Sequence, residues 1–194
     1  MRNDNQVKSL FYDICSTGNM ESYDNLYTLL CSKLIHFSAS ITGSFHLAEE
    51  IVSDVFIMIW QKREQLMNVR EPQVYIYVCT RNLSLNHMSQ RQSHIDYESL
   101  DRDALAIAPG VEDMLISSEV SQLIEKSIRE LPTRCQLIFR LVKMDGLSYK
   151  QVAKLLDISI KTVDAQLSIA IKKLTSAIQL DMSSDLIRSY LHRD

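Results

Sequence analysis

The sequence predicts an all-α protein: two small helical domains joined by an acidic flexible linker, with a helix-turn-helix as the C-terminal domain. Its 194 residues include only four glycines and three prolines, so helices can run with few interruptions. Apolar residues recur at helical spacing on both sides of residues 95–118. That segment lacks the pattern, contains Pro109-Gly110 and holds six acidic residues against one arginine. We therefore expect domains at 1–94 and 119–180, a linker at 95–118 and a tail at 181–194.

Four helices are predicted in the N-terminal domain, the first three from clear apolar stripes. The first two should end near Gly18 and Gly43, because glycine permits the left-handed conformation that closes a helix. The fourth should begin at Pro72, since proline is favoured in the first turn. The predicted buried stripes are Val7, Leu10, Phe11 and Ile14; Leu26, Leu29, Leu30, Leu34 and Phe37; and Ile51, Val52, Val55, Phe56, Ile59 and Trp60.

The third helix, AEEIVSDVFIMIW, has an outward face of mixed character. Opposite its apolar stripe lie Glu50, Ser53, Asp54, Ile57 and Gln61. A solvated face rarely includes an isoleucine, so Ile57 among acidic residues favours a protein-docking surface. Ordinary packing within the bundle is the alternative.

The fourth helix, VYIYVCTRNLSLNHMSQRQ, combines aromatic residues with asparagine and arginine. Tyrosine, asparagine and arginine together suit stacking and hydrogen bonding to unpaired bases. The alternative is that the tyrosines belong to the core, as tyrosines on helices usually do.

The segment LSYKQVAKLLDISIKTVDAQL predicts two short helices joined by a tight turn. Ser148 and Gln151 have the spacing of a capping box, and Ser159 can cap a second helix. Asp157 should adopt the left-handed conformation at the turn. The apolar residues of the pair are Val152, Ala153 and Leu156, then Val163, Leu167, Ala170, Ile171 and Leu174. Two helices joined so closely form a helix-turn-helix, whose second helix enters a DNA major groove; a helical hairpin within a bundle is the alternative.

Composition argues against several other classes of protein. The four cysteines form no close pair, and the five histidines show no metal-ligand spacing. No glycine-rich phosphate loop or nucleophile-base arrangement is present, so we expect neither an enzyme nor a cofactor. The first ten residues lack a signal-peptide core, and no apolar run reaches the length of a membrane span. A cytoplasmic protein without stable membrane insertion is therefore expected.

Charge is unevenly distributed along a chain whose net charge is −3. Residues 62–94 and 119–180 are modestly basic, while the first 61 residues and the connector are acidic. Two basic segments joined by a linker indicate two domains that both contact nucleic acid. Neither zone is basic enough to bind DNA strongly alone, so we expect a partner that supplies most phosphate contacts.

Three segments in order resemble the bacterial RNA polymerase sigma factors of the extracytoplasmic-function (ECF) group. They are AEEIVSDVFIMIW, VYIYVCTRNLSLNHM and LPTRCQLIFRLVKMDGLSYKQVAKLLDISIKTVDAQLSIAIKKL, and the resemblance spans roughly residues 7–178. It implies a factor that binds core polymerase, directs it to specific promoters and helps open the minus-ten element. The implied partners are core RNA polymerase through its clamp and flap regions, promoter DNA and an anti-sigma factor.

The resemblance also implies three sets of contact residues. The polymerase-binding set is Glu50, Ser53, Asp54, Ile57 and Trp60. The minus-ten set is Leu66, Tyr77, Arg81, Asn82, Asn86 and Arg91, with Asn82 holding a flipped base. The minus-thirty-five set is Lys161, Thr162, Asp164, Ala165, Gln166, Ser168 and Lys172. Within it, Asp164 could accept from a cytosine amino group and Gln166, if it faces the groove, could pair with adenine, while the two lysines suit phosphates.

One rival interpretation shares the C-terminal helix-turn-helix. A transcription regulator of the response-regulator type would also explain residues 131–178, but it needs an upstream receiver or ligand-sensing domain. A receiver should show alternating short apolar strands, whereas residues 1–94 have helical periodicity throughout.

Overall fold

A computed structural model of the chain describes the backbone of residues 2–92 and 126–181 and the side chains of 5–90 and 126–176. Throughout these ranges the regular structure is helical, without a strand, which confirms the predicted all-α class. The chain divides into two compact units, Met1–Gly110 and Val111–Asp194. The predicted linker at 95–118 and the tail beyond 181 lie outside the described residues.

The first unit is a four-helix bundle. Its helices are α1 (Arg2–Thr17), α2 (Met20–Thr42), α3 (Phe45–Lys62) and α4 (Pro72–Gln92), with a 3-10 turn, Arg63–Leu66, directly after α3. Helices α2 and α4 each contact all three of the other helices, so these two helices connect the bundle. The core residues include Phe11, Ile14, Leu26, Leu30, Leu34, Ile51, Phe56, Ile59, Ile76 and Tyr77.

Local signals for the helix ends are confirmed. Gly43 has φ 69°, and its N–H donates to the Ala39 carbonyl at 2.9 Å, which closes α2. Gly18 has φ 66° at the end of α1. Helix α4 begins at Pro72, as predicted.

Three residues of the predicted stripes lie at the edge of the core and not inside it. Leu10, Leu29 and Trp60 are only half-buried. Each borders an apolar stripe whose central positions are taken by fully buried neighbours such as Phe11 and Leu30. Periodicity identified the correct buried side of each helix, but it also assigned to the core residues that lie at the edge of that side.

The second unit contains α5 (Thr133–Phe139), continued by a π-helical turn, Arg140–Met144, then α6 (Tyr149–Leu156) and α7 (Ile160–Asp181). Helix α7 packs against both α5 and α6. One part of the core is formed by Ile128, Leu131, Cys135, Ala170 and Leu174, against which Phe139 packs.

The predicted helix-turn-helix is confirmed in detail. The Gln151 N–H donates to Ser148 Oγ at 3.3 Å, and the Ser148 N–H donates to Gln151 Oε1 at 2.8 Å, which completes the capping box. Asp157 ends α6 in the left-handed conformation, at φ 54° and ψ 52°. Ser159 Oγ accepts from the Thr162 N–H at 3.0 Å, so α7 starts at its cap.

The burial predicted for two residues of this motif was wrong. Leu155 is buried in α6 and Leu156 only half-buried, because Val152 and Leu155 form the inward pair three residues apart. Ile171 is 39% exposed, since the buried side of α7 is defined by Val163, Leu167, Ala170 and Leu174. Ile171 follows Ala170 by about 100° around the axis, which carries it off that side.

Candidate polymerase-binding and nucleic-acid surfaces

The outward face of α3 is a mixed acidic and apolar surface. Ser44 caps the helix by accepting from the Leu47 N–H at 3.3 Å, and a buried stripe from Leu47 to Ile59 holds the helix against the bundle. This leaves Glu50, Ser53, Asp54 and Ile57 exposed, Ile57 to 50%. Four of the five predicted polymerase-binding residues are therefore accessible on one side of α3.

Trp60, the fifth predicted residue, forms the edge of that face. Its ring lies edge-on to Tyr23 with centroids 5.3 Å apart, and Arg63 Cζ lies 4.8 Å from its centroid. Arg63 also donates to the Trp60 carbonyl at 2.9 Å. An aromatic ring that is packed on two sides is already rigid. Little side-chain entropy is therefore lost when a partner binds against it.

The exposed side of α4 carries two of the predicted minus-ten residues. Asn82 and Asn86 lie one turn apart and are exposed, together with Leu85, which is 43% exposed. Arg81 is half-buried. The side chain of Arg91 lies outside the described side chains.

Two members of the minus-ten set lie in the core, so the assignment of direct DNA contact to them was wrong. Tyr77 is fully buried, with its ring centroid 5.2 Å from that of Phe37. Leu66 is 7% exposed at the end of the 3-10 turn. Both side chains pack inside the bundle, so they can stabilise the exposed side of α4 and the loop before it without contacting DNA.

Tyr75, not Tyr77, shares the exposed side of α4 with Asn82, two turns away. Its ring is half-buried and edge-on to Phe11, with centroids 6.5 Å apart. Burial, followed by the influence of neighbouring Cys79, raises the pKa of Tyr75 to about 12. Both the ordinary and the raised pKa leave the phenol of Tyr75 neutral at physiological pH.

The loop before α4 is tied to α1 by a tyrosine that the sequence did not reveal. The Tyr12 hydroxyl donates to the Val69 carbonyl at 2.7 Å, and the Val69 N–H donates to the Leu66 carbonyl at 3.0 Å. Buried Leu66 anchors the same loop from its other end. A hydroxyl that bonds across 57 positions of sequence has no local signature.

We expect Tyr12→Phe to loosen this loop without unfolding the bundle. Loss of one hydrogen bond should lower the free energy of unfolding by about 0.5–1.5 kcal/mol. Hydrogen exchange should become faster at the Val69 amide and stay unchanged at amides in the middle of α2. Tyr27→Phe, a change at an exposed tyrosine of α2, is the control. Unchanged protection at Val69 would show that the Tyr12 contact does not hold the loop.

The outward face of α7 is polar near its start and carries lysines further on. Lys161, Asp164, Ala165, Ser168 and Lys172 are all exposed, as the major-groove prediction requires. The turn at Asp157 and the cap at Ser159 set where this face begins.

Two other residues of the minus-thirty-five set are already engaged within the protein. Gln166 is half-buried, and its Oε1 accepts from Cys135 Sγ at 3.0 Å, so it faces α5 and does not meet the condition for pairing with adenine, which was that it face the groove. The half-buried Thr162 has its hydroxyl 2.8 Å from Ser159 Oγ, so it belongs to the helix cap.

None of the helices in the described part of the chain combines the length and apolar character that a membrane span needs. Over the same residues, no three histidine, cysteine or acidic side chains form a group that could hold a metal ion.

Comparison with known families matches each unit separately. Residues 26–94 match Sigma-70 region 2, and residues 121–174 match Sigma-70 region 4. The ECF RNA polymerase sigma factor SigW of Bacillus subtilis is 23% identical over 159 residues, which cover 77% of this chain and 85% of SigW. This chain belongs to the ECF sigma factors. The ECF sigma-E factor of Escherichia coli K12 is 21% identical over 165 residues, covering 79% of this sigma factor and 86% of its relative.

Solved structures show the same fold. The sigma factor RpoE, in complex with the anti-sigma factor NepR from Bartonella quintana, aligns with a TM-score of 0.52 at 20% identity, over 84% of this sigma factor and 99% of RpoE. CnrH, in complex with the cytosolic domain of CnrY, aligns with a TM-score of 0.52 at 15% identity, over 91% and 99% of the two chains.

The sigma factor is thus an RNA polymerase subunit for promoter-specific initiation of transcription. Sigma factors as a class are non-enzymatic initiation factors. The response-regulator interpretation is wrong, because region 2 occupies residues 26–94, where a receiver domain would have to lie.

Proposed function

We propose that this sigma factor binds core polymerase through the outward face of α3, opens the minus-ten element with α4 and the loop before it, and reads the minus-thirty-five element with α7. The observation that carries the proposal is the presence of regions 2 and 4, in that order, each with an exposed polar face at its predicted contact helix.

The α3 face has the composition expected of a protein interface. Ile57 is half-exposed between acidic residues, and the rigid Trp60 ring lies at its border. Interfaces combine an apolar centre that excludes water with a polar rim that fixes orientation. We propose that Ile57 and Trp60 form the centre, and that Glu50 and Asp54 pair with basic side chains of the polymerase clamp.

The α4 surface suits capture of an unpaired base. Asn82 offers both a donor and an acceptor, and Tyr75 offers a neutral ring on the same side of the helix. Extruding a base from duplex DNA costs a few kcal/mol, which a protein offsets by stacking and hydrogen bonds to the base edge. We propose that Asn82 holds a non-template base and that Tyr75, not Tyr77, is the aromatic contact.

On α7, we propose that Asp164 reads a base and that Lys161 and Lys172 bind phosphates. Asp164 is exposed in the second turn of α7. A carboxylate beside DNA is repelled by phosphates unless it accepts a hydrogen bond, and the cytosine amino group is its usual partner.

Asp164→Ala and Lys172→Ala should therefore have different effects. The first should relax preference at one minus-thirty-five position by about 1–3 kcal/mol while leaving other positions unchanged. The second should lower affinity evenly across promoters. It should also reduce the slope of log affinity against log salt concentration by about one unit, the effect of one lost phosphate contact. Promoter selection with each reconstituted holoenzyme measures both effects. An unchanged motif with Asp164→Ala would move the base-reading role to Ala165 or Ser168.

We further propose that this sigma factor acts in the cytoplasm and is held inactive by an anti-sigma factor. The structural relative RpoE was solved in complex with the anti-sigma factor NepR, which supports the same class of partner here.

Binding to core polymerase tests the proposal most simply. The sigma factor should co-elute with core enzyme on size exclusion at micromolar concentration. The complex should bind duplex DNA containing a promoter more tightly than core enzyme does. Elution of the two proteins apart would contradict the proposed role of α3.

A further inference from the structure

Helix α7 must read DNA without arginine. Its 22 residues, Ile160–Asp181, include Lys161, Lys172 and Lys173 but no arginine. Bidentate pairing of arginine with guanine is the commonest specific contact in the major groove. Lys161, Asp164 and Ser168 are its exposed polar side chains near the start, and apolar contacts to the bases can add to theirs.

An exposed isoleucine lies on the outer side of this helix. Ile169 is 43% exposed. It follows Ala165 by one turn and Lys161 by two, and both of those residues are also exposed. At about 100° per residue, this row lies opposite the buried side that Val163 and Leu167 define.

We propose that Ile169, with Ala165 beside it, is a specificity-determining residue that recognises thymine through its 5-methyl group. The inference rests on the proposed role of α7 in the minus-thirty-five element. Apolar side chains distinguish thymine in the major groove because only thymine carries a methyl group there. The promoter element should therefore contain at least one thymine whose methyl group is needed for tight binding.

The charges around Ile169 favour DNA as the occupant of this surface. Lys161 lies two turns before Ile169, and Lys172 and Lys173 lie about one turn after it, all exposed. Cations on both sides of an apolar contact can hold phosphates while the contact faces base edges. Asp164 is the one carboxylate among residues 160–176, and it lies about 140° around the axis from Ile169, so no acidic side chain of this stretch flanks the apolar contact.

The same helix offers a matched control. Ile171 is 39% exposed, close to the 43% of Ile169, but it lies about 160° around the axis. Ile169→Ala and Ile171→Ala therefore remove the same atoms from surfaces of similar exposure. Ile171 lies two turns after Asp164 on the same side of the helix, so the second change tests the Asp164 side and the first tests the proposed thymine contact.

The test uses holoenzyme and a selected promoter in which each minus-thirty-five thymine is replaced singly by uracil, which lacks the methyl group. Wild-type holoenzyme should lose about fourfold in affinity at one position, the effect of one buried methyl group. Ile169→Ala should bind the thymine promoter less tightly and show no further loss with uracil at that position. Ile171→Ala should keep the wild-type response.

Three results would overturn the inference. No uracil effect at any position would show that thymine methyl groups are not read. A wild-type uracil response in Ile169→Ala would assign the reading to another residue. Weaker binding of Ile169→Ala to core polymerase would show that the surface docks protein. If wild-type holoenzyme has no promoter preference over core enzyme, the proposed function itself fails, a result distinct from these three.

Discussion

Asp54→Arg should abolish binding of the sigma factor to core polymerase while leaving its fold intact. Asp54 is exposed on the outward face of α3, where Glu50 and Ile57 are also accessible. Reversing its charge replaces attraction to a basic clamp surface with repulsion, which costs several kcal/mol across an interface. Since each 1.4 kcal/mol is about tenfold in affinity, we expect a loss of at least about 100-fold.

The fold should tolerate the change, because substitution at an exposed site usually alters stability by less than about 0.5 kcal/mol. Asp24→Arg is the matched control, because Asp24 is exposed on α2 and lies outside the outward face of α3. Binding to fluorescently labelled core polymerase, together with thermal unfolding of each variant, measures both effects. Equal affinities of Asp54→Arg and wild type for core polymerase would show that this face of α3 is not part of the interface.

Asn82→Ala should permit recruitment to promoters but impair strand opening. The substitution removes the proposed hydrogen bonds to an extruded base and leaves the duplex contacts of α7 unaltered. Loss of a hydrogen-bond partner at a desolvated site costs about 1–3 kcal/mol, so the opening equilibrium should fall on the order of tenfold or more. Permanganate reactivity of the minus-ten thymines reports opening, and gel-shift affinity on closed promoter DNA reports recruitment.

Asn25→Ala controls for the loss of an exposed asparagine elsewhere in the same unit, since Asn25 lies exposed on α2. It should open promoters as well as wild type does. If Asn82→Ala gives wild-type permanganate reactivity, base capture is not the role of Asn82. If closed-complex affinity falls as well, the residue contributes to duplex binding.

The features predicted correctly from the sequence depend on short-range interactions. The capping box at Ser148, the left-handed Asp157 and the glycine that closes α2 each involve residues within about one turn of each other. Such signals are complete in a few consecutive residues. Helical periodicity likewise gave the outward face of α3, because a regular helix determines which residues share a side.

The errors came from contacts between distant parts of the chain. Tyr77 was assigned to DNA but packs on Phe37, and Gln166 was also assigned to DNA but accepts a hydrogen bond from Cys135. Tyr12 was missed, although its hydroxyl holds the loop at Val69. These pairs are between 31 and 57 positions apart, so no local pattern could reveal them.

The central claim is that this chain confers promoter specificity on core polymerase. The most direct measurement is transcription in vitro by core enzyme on genomic DNA from the source organism, with and without the sigma factor, followed by sequencing of RNA 5′ ends. We predict a discrete set of start sites that appear only with the sigma factor and share two upstream blocks, near minus ten and minus thirty-five. An identical pattern of start sites in the presence and absence of the chain would contradict the account.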